Sequence, residues 1–314
     1  NSGKIASTAL LCYWKHVPFQ WPHWKDIGKP VQMGRQLAIG RLAASTYANA
    51  DGTVIDRTMG QAALGTYRYA MVLAAAPAEK ISTLIMRAAT PLFANVMDDL
   101  PMVRRYYLIL VEVLSLAVMP MMLGLTFVAP QVVALAYGPK WIAATRPVQW
   151  LGLFMIVRVL GVLTEQVLVS QRMTRFTMRM SILNLAVMPL AFIIAARWKG
   201  PDAVAATWIL LSPVTIFPLV IILLRRIELS YREYAIALLP ATAASVVMCL
   251  ALFGLNSRLP VSWPIAARLA VQVSVGAAVY AGFILLFFRA RVLRYVNFVS
   301  TLRKAKETPG SIVS

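Results

Sequence analysis

Long apolar stretches separated by short basic connections restrict the fold of this chain more than any other feature. A helix crossing a bilayer needs about 20 mostly apolar residues, and lipid leaves no other way for a single segment to satisfy its own backbone hydrogen bonds. About eight such stretches can be read, with cores at residues 35–54, 64–89, 107–128, 142–169, 178–195, 203–224, 234–253 and 267–288. The first two are the least hydrophobic and carry charge inside the stretch. The expected fold class is all-α, a polytopic membrane helix bundle of about eight transmembrane helices. Residues 5–13 read as the end of a preceding helix, and the chain starts at Asn1 rather than Met. The expectation is that the N-terminal part of a longer protein is missing.

Composition excludes the main alternative. The net charge of +19 would suit a nucleic-acid partner, but 60% of the 314 residues are hydrophobic and only 14% charged, against about 25% charged in soluble domains. The basic residues sit in connections between apolar stretches rather than on a soluble face, so no nucleic-acid partner is expected. They also alternate. Lys15, Lys25, Lys29, Arg104, Arg105, Arg172, Arg175, Arg225, Arg226 and Arg232 fall in one set of connections, and the C-terminal tail adds more. The other set holds only Arg57, Lys140, Arg197, Lys199 and Arg258, with Arg146 and Arg268 at helix starts. Lys and Arg concentrate on the cytoplasmic side, so the first set and the C-terminus are expected there. Residues 14–29, rich in Trp, Pro, His and Lys, read as an interfacial linker. Residues 129–137, ahead of Gly138 and Pro139, read as a short re-entrant or interfacial helix on the opposite side.

No constellation for catalysis is visible. There is no nucleophile elbow, Walker loop or metal-binding histidine cluster, so no enzyme activity, metal or cofactor is expected. Cys12 and Cys249 lie in apolar surroundings, and His16 and His23 lack ligand partners at a useful spacing. Asp98 and Asp99 read as a helix-capping turn more readily than as a cation site.

The informative residues are ionisable groups inside the spans, because such groups are costly in lipid and face a cavity or a partner. Arg41, Ser45, Asn49, Gly52 and Asp56 follow helical spacing as one polar stripe, with Asp51 beside it. Tyr69, Ala76, Lys80, Thr83 and Arg87 share a face of the second helix, and Glu79 adjoins Lys80. Glu112 lies inside the third helix. Arg158 lies about 15 residues into the fourth, or roughly 22 Å, well inside the hydrocarbon. Arg41, Lys80 and Arg87 are also within snorkelling reach of the cytoplasmic surface, and Arg68, near the other end of its helix, reads as interfacial. The sharper reading is a cationic cavity centred on Arg158, with Arg41, Lys80 and Arg87 contributing, suited to a phosphate or diphosphate. Asp51, Asn49, Asp56, Glu79 and Glu112 would form a polar stripe or an ion-coupling site.

At this point the residues meet a known pattern. The run NADGTVIDRTMGQAALGTYRYA, from Asn49 to Ala70, resembles the seventh-helix signature of the polysaccharide transporters in the multidrug/oligosaccharidyl-lipid/polysaccharide exporter superfamily. Asn49, Asp51, Ile55, Arg57, Gly60, Leu64, Gly65, Tyr67 and Ala70 match, while Asp56 stands where the family has Gly. The run PLFANVMDD ending at Asp99, with Arg104, Arg105 and Tyr106, resembles the next block. The run YGPKW ending at Trp141, with Ala144, Pro147 and Val148, resembles an outer loop, and LVSQR ending at Arg172 a later turn. Together these span residues 31–231.

The resemblance implies two bundles of six helices, often with two extra C-terminal helices. On that basis residues 1–32 are a helix end and linker, 33–230 the second six-helix bundle, 231–290 the extra pair and 291–314 a basic cytoplasmic tail. It further implies a flippase of the bacterial inner membrane that moves undecaprenyl-diphosphate-linked oligosaccharide repeat units for O-antigen, capsule or exopolysaccharide synthesis. Its partners would be the lipid-linked oligosaccharide, membrane lipids, the missing N-terminal bundle, a polysaccharide polymerase and a chain-length regulator. Two other transport readings stay open, a cation-coupled drug exporter or a peptidoglycan-precursor exporter of the same superfamily. Readings from other classes are a membrane polymerase or ligase, which would need larger outer loops, and a non-transporting remnant.

Overall fold

A computed structural model describes residues 24–260 and 262–289. The apolar residues 5–13, most of the linker at 14–29, both histidines, Cys12 and the basic tail lie outside them. All described secondary structure is helical: α1 (Trp24–Ala48), α2 (Ala50–Met59), α3 (Gln61–Asn95), α4 (Leu100–Tyr137), a 3-10 turn (Pro139–Ala144), α5 (Thr145–Ser170), α6 (Thr174–Leu210), α7 (Ser212–Thr215), α8 (Phe217–Arg226), α9 (Tyr231–Asn256) and α10 (Ile265–Phe287).

Seven helical stretches among the described residues are long and apolar enough to cross a membrane, and they coincide with the last seven of the stretches read from hydropathy. The first stretch, residues 35–54, is helical too but divided. α1 ends at Ala48, Asn49 adopts φ −110° and ψ −1°, and α2 restarts at Ala50. A second break follows at Gly60, whose φ of +81° favours a residue without Cβ.

Residues 129–137 are not a separate interfacial helix. They are the last turns of α4, which runs through Pro130 and stops at Gly138 with φ +85°. The carbonyl that this proline leaves free finds a donor elsewhere: Thr126 O accepts from Gln149 Nε2 of α5 at 3.2 Å. Pro120 in the same helix frees Leu116 O, which accepts from the Tyr280 hydroxyl of α10 at 2.7 Å. The stretch at 203–224 fares differently. It is interrupted at Leu211 and Ile216, just ahead of Pro213 and Pro218. The carbonyl of Ile209, freed by Pro213, accepts from the nearby Ser212 hydroxyl at 2.7 Å.

α6 contains a reversal. Gly200 has φ +72°, and the chain on either side forms separate apolar stretches, Thr174–Trp198 and Gly200–Arg226. The acidic turn at Asp98 and Asp99 caps α4, with Asp99 Oδ1 accepting from the Met102 N–H at 3.0 Å.

α4 is the hub. It packs on α3 and α5 on one side and on α9 and α10 on the other. Its buried residues Val103, Tyr107, Val111, Leu114, Val118 and Met122 recur every three or four positions and form one face. Between apolar helices in lipid, association rests on close packing and on interhelical hydrogen bonds rather than on water exclusion. Both are present. Gly161 of α5 lets Ile216 come so near that an added Cβ would fall 2.9 Å from its Cγ2. The Tyr107 hydroxyl lies 2.9 Å from that of Thr164, which itself donates to Leu160 O.

Candidate functional site

α1, α2, α3, α5, α6 and the broken α7–α8 segment surround a cavity of about 460 Å³. Its geometry starts at the helix breaks. The interruption at Asn49 puts Asp51 in the first turn of α2, where its side chain is buried (1% exposed). The carboxylate accepts from the Tyr67 hydroxyl of α3 at 2.7 Å, from Trp208 Nε1 of α6 at 3.2 Å and from the Gly52 N–H at 2.6 Å. The Trp208 N–H also lies 3.1 Å from the Tyr67 oxygen. Rings hold this indole in place: Phe154 stacks at 4.9 Å and Phe192 lies at 5.1 Å between centroids. A buried carboxylate is tolerated only where hydrogen bonds replace its water, and three helices contribute them here.

Two guanidinium groups line the same cavity. Arg68 lies against Gly52, where an added Cβ would come within 2.5 Å of its Nη2. Arg158 of α5 lies 3.6 Å from Glu79 of α3, with both side chains half exposed. Glu165 and Asn184 complete the polar wall. The cavity therefore carries both signs, with Arg68 and Arg158 facing Asp51, Glu79 and Glu165.

The residues singled out from sequence distribute unevenly. Arg158, Asp51, Asn49 and Glu79 all line this cavity. Arg41 lines a smaller adjoining one of about 210 Å³, which shares Val162 and Glu165 with the first. Lys80 and Arg87 are exposed on α3 and line neither, and Asp56 is exposed on α2. Glu112 is buried on α4, which does not reach the cavity. Arg158, Arg41, Lys80 and Arg87 thus do not converge in one cavity of the described chain. The carboxylate paired with Arg158 among the described residues is that of Glu79.

Sequence reasoning missed Arg68, Tyr67 and Trp208. Arg68 reads as interfacial by its distance from the helix end, and only the packing of α2 on α3 turns it inward. Tyr67 offered a signal, since it belongs to the same motif as Asp51. Trp208 offered none, because its pairing spans 157 positions.

Comparison with known proteins adds independent support. A family model described as "Polysaccharide biosynthesis protein" matches residues 4–146. The teichuronic acid biosynthesis protein TuaB of Bacillus subtilis (strain 168) is 27% identical over 241 residues, covering 76% of this chain and 50% of its own length. The lipopolysaccharide biosynthesis protein WzxC of Escherichia coli (strain K12) is 24% identical over 214 residues, covering 68% and 44%. Among solved structures, the lipid II flippase MurJ in an inward closed conformation superposes with a TM-score of 0.63 at 14% identity, covering 81% of this chain and 53% of that one. The chain spans about half the length of these relatives. It is a multi-pass membrane protein whose fold is like that of MurJ, and it is similar in sequence to proteins of polysaccharide biosynthesis.

Proposed function

We propose that this chain is the cavity-bearing second bundle, residues 33–230, with an accessory pair at 231–290, of a flippase for undecaprenyl-diphosphate-linked oligosaccharide repeat units. The protein would sit in the bacterial inner membrane with the basic connections and the C-terminus cytoplasmic. The observation that carries this reading is the cavity itself. Two guanidinium groups, Arg158 and Arg68, stand in a polar opening among spanning helices, and a guanidinium binds phosphate oxygens in a fork. Glu79 and Glu165 fit the same reading. Glu79 holds Arg158 until a diphosphate displaces it, and Glu165 lines the same opening.

Alternating access needs a second bundle to move against the first, so transport is assigned to the assembled protein. The exposed polar residues Ser45, Asn49, Lys80, Thr83 and Arg87 suit a water-filled space between two such bundles better than lipid.

The test is glycan export by the full-length protein in a strain lacking its own flippase. Arg158→Ala is expected to abolish or strongly reduce export while the protein still inserts. Arg158→Lys is expected to recover only part, because an ammonium keeps the charge and loses the fork. Combining Arg158→Glu with Glu79→Arg separates the two roles. A purely structural pair tolerates the exchange and export returns, whereas a substrate-binding arginine does not. Normal export by a stable Arg158→Ala protein would remove Arg158 from the substrate site.

A further inference from the structure

Away from this cavity, two other concavities meet at one pair of residues. One, of about 570 Å³, lies between the start of α3, the 3-10 turn and the reversal of α6. The other, of about 890 Å³, runs between α5 and the two arms of α6. Arg146 and Asp202 line both. Among the described residues neither side chain has a hydrogen bond, and neither belongs to an ion pair of 4 Å or less.

The reversal at Gly200 explains the groove. One arm of α6 supplies Ala195 and Trp198, and the returning arm supplies Asp202, Ala206 and Leu210. Alanines make the floor shallow enough to accept a chain. The walls face outward, with Trp198 85% and Leu210 70% exposed. From Asp202 to Leu210 the helix descends about 12 Å, most of the roughly 15 Å that one leaflet contributes to a 30 Å hydrocarbon layer. Trp150 lies one turn below Arg146, and Trp198 flanks the rim, where indoles favour the headgroup level.

A membrane-facing groove of this kind is filled by lipid, and its rim decides which lipid. Arg146 alone would favour any phosphate-bearing headgroup. Asp202 adds a carboxylate that repels an anionic lipid and attracts a headgroup ammonium. The two side chains sense each other's charge but form no ion pair of 4 Å or less, so both remain open to a ligand. We propose that the groove is a site for a zwitterionic aminophospholipid. Its acyl chain lies along the alanine floor, its phosphate at Arg146 and its primary ammonium at Asp202. The site lies at the membrane face opposite the basic connections. It is separate from the cavity of the proposed transport reading and does not depend on that reading.

Quenching of tryptophan fluorescence by brominated lipids tests this. The full-length protein is reconstituted in vesicles of phosphatidylethanolamine and phosphatidylglycerol, with the bromines on one lipid or the other. Brominated phosphatidylethanolamine is expected to quench preferentially, with a relative affinity about two- to fivefold above phosphatidylglycerol, the range of one exposed ion pair. Asp202→Asn should bring the ratio to about one, and Ala206→Leu should weaken quenching by both lipids. Asp202→Lys should reverse the preference toward phosphatidylglycerol, a gain that unfolding cannot produce. Equal quenching by the two lipids in the wild type would overturn the proposal. So would a preference for phosphatidylglycerol, displacement by a polyprenyl phosphate but not by phosphatidylethanolamine, or a preference indifferent to both Asp202 variants.

Discussion

Asp51 shows how much a single carboxylate organises. It ties α2 to Tyr67 of α3 and to Trp208 of α6. Removing the Tyr67 hydroxyl leaves a buried acceptor short of one donor, which costs about 1–3 kcal/mol. Tyr67→Phe is therefore expected to lower the unfolding temperature of the purified protein, and an unchanged transition would mean that water replaces the phenol. Asp51→Asn keeps the shape and removes the charge. On the transport reading it should reduce export at unchanged membrane abundance, and wild-type export across the working pH range would remove Asp51 from any coupling role. Gly52→Ala asks a different question. Its Cβ meets the end of the Arg68 side chain rather than backbone, so the guanidinium must swing aside while the fold persists. Export should fall with little loss of stability; full export would show that the position of Arg68 is immaterial.

At the scale of elements, prolines separate what was legible in the sequence from what was not. Hydropathy and length locate seven spans, because a run of about 20 apolar residues is dictated by bilayer thickness. Whether the carbonyl freed by a helix proline meets a donor on another helix is something no local pattern reveals, and Pro77, Pro91 and Pro189 also lie inside unbroken helices. Pro120 and Pro130 sit in an unbroken α4, and Tyr280 and Gln149 supply hydrogen bonds from other helices to the carbonyls they free. Among the described residues no comparable long-range donor reaches the segment around Pro213 and Pro218, and that span is interrupted. The same limit hid the pairing of Arg158 with Glu79: helical spacing reports which face a residue occupies but not which helix meets that face. Tyr280→Phe leaves the Leu116 carbonyl exposed to an apolar interface. A loss of about 0.5–1.5 kcal/mol is expected, read as weaker resistance to thermal unfolding. Phe at no cost would mean that α10 docks by packing alone.

For the whole molecule, the joint between α4 and α9 fixes how the last two helices sit. Glu233 closes a capping box with Ser230 and also forms an ion pair with Arg104, while Tyr107 and Tyr234 stack at 6.1 Å. This joint and the Asp99 cap lie at the same end of the bundle as the more basic connections, which the proposed orientation puts in the cytoplasm. Cysteines introduced at Lys140 and Ser257 should therefore react with an impermeant maleimide added from the periplasm. Labelling only after the inner face is opened would invert the topology.

The two polar faces on α1 and α3 have a consequence for the life of the protein in the cell. A bare bilayer is a poor solvent for Asn49 and Lys80, since polar and charged side chains are costly in hydrocarbon. Until another protein surface or trapped water covers that face, the chain carries a mark that membrane proteases and chaperones can recognise. Its steady-state level should then be set by the supply of whatever covers that face rather than by its own rate of synthesis.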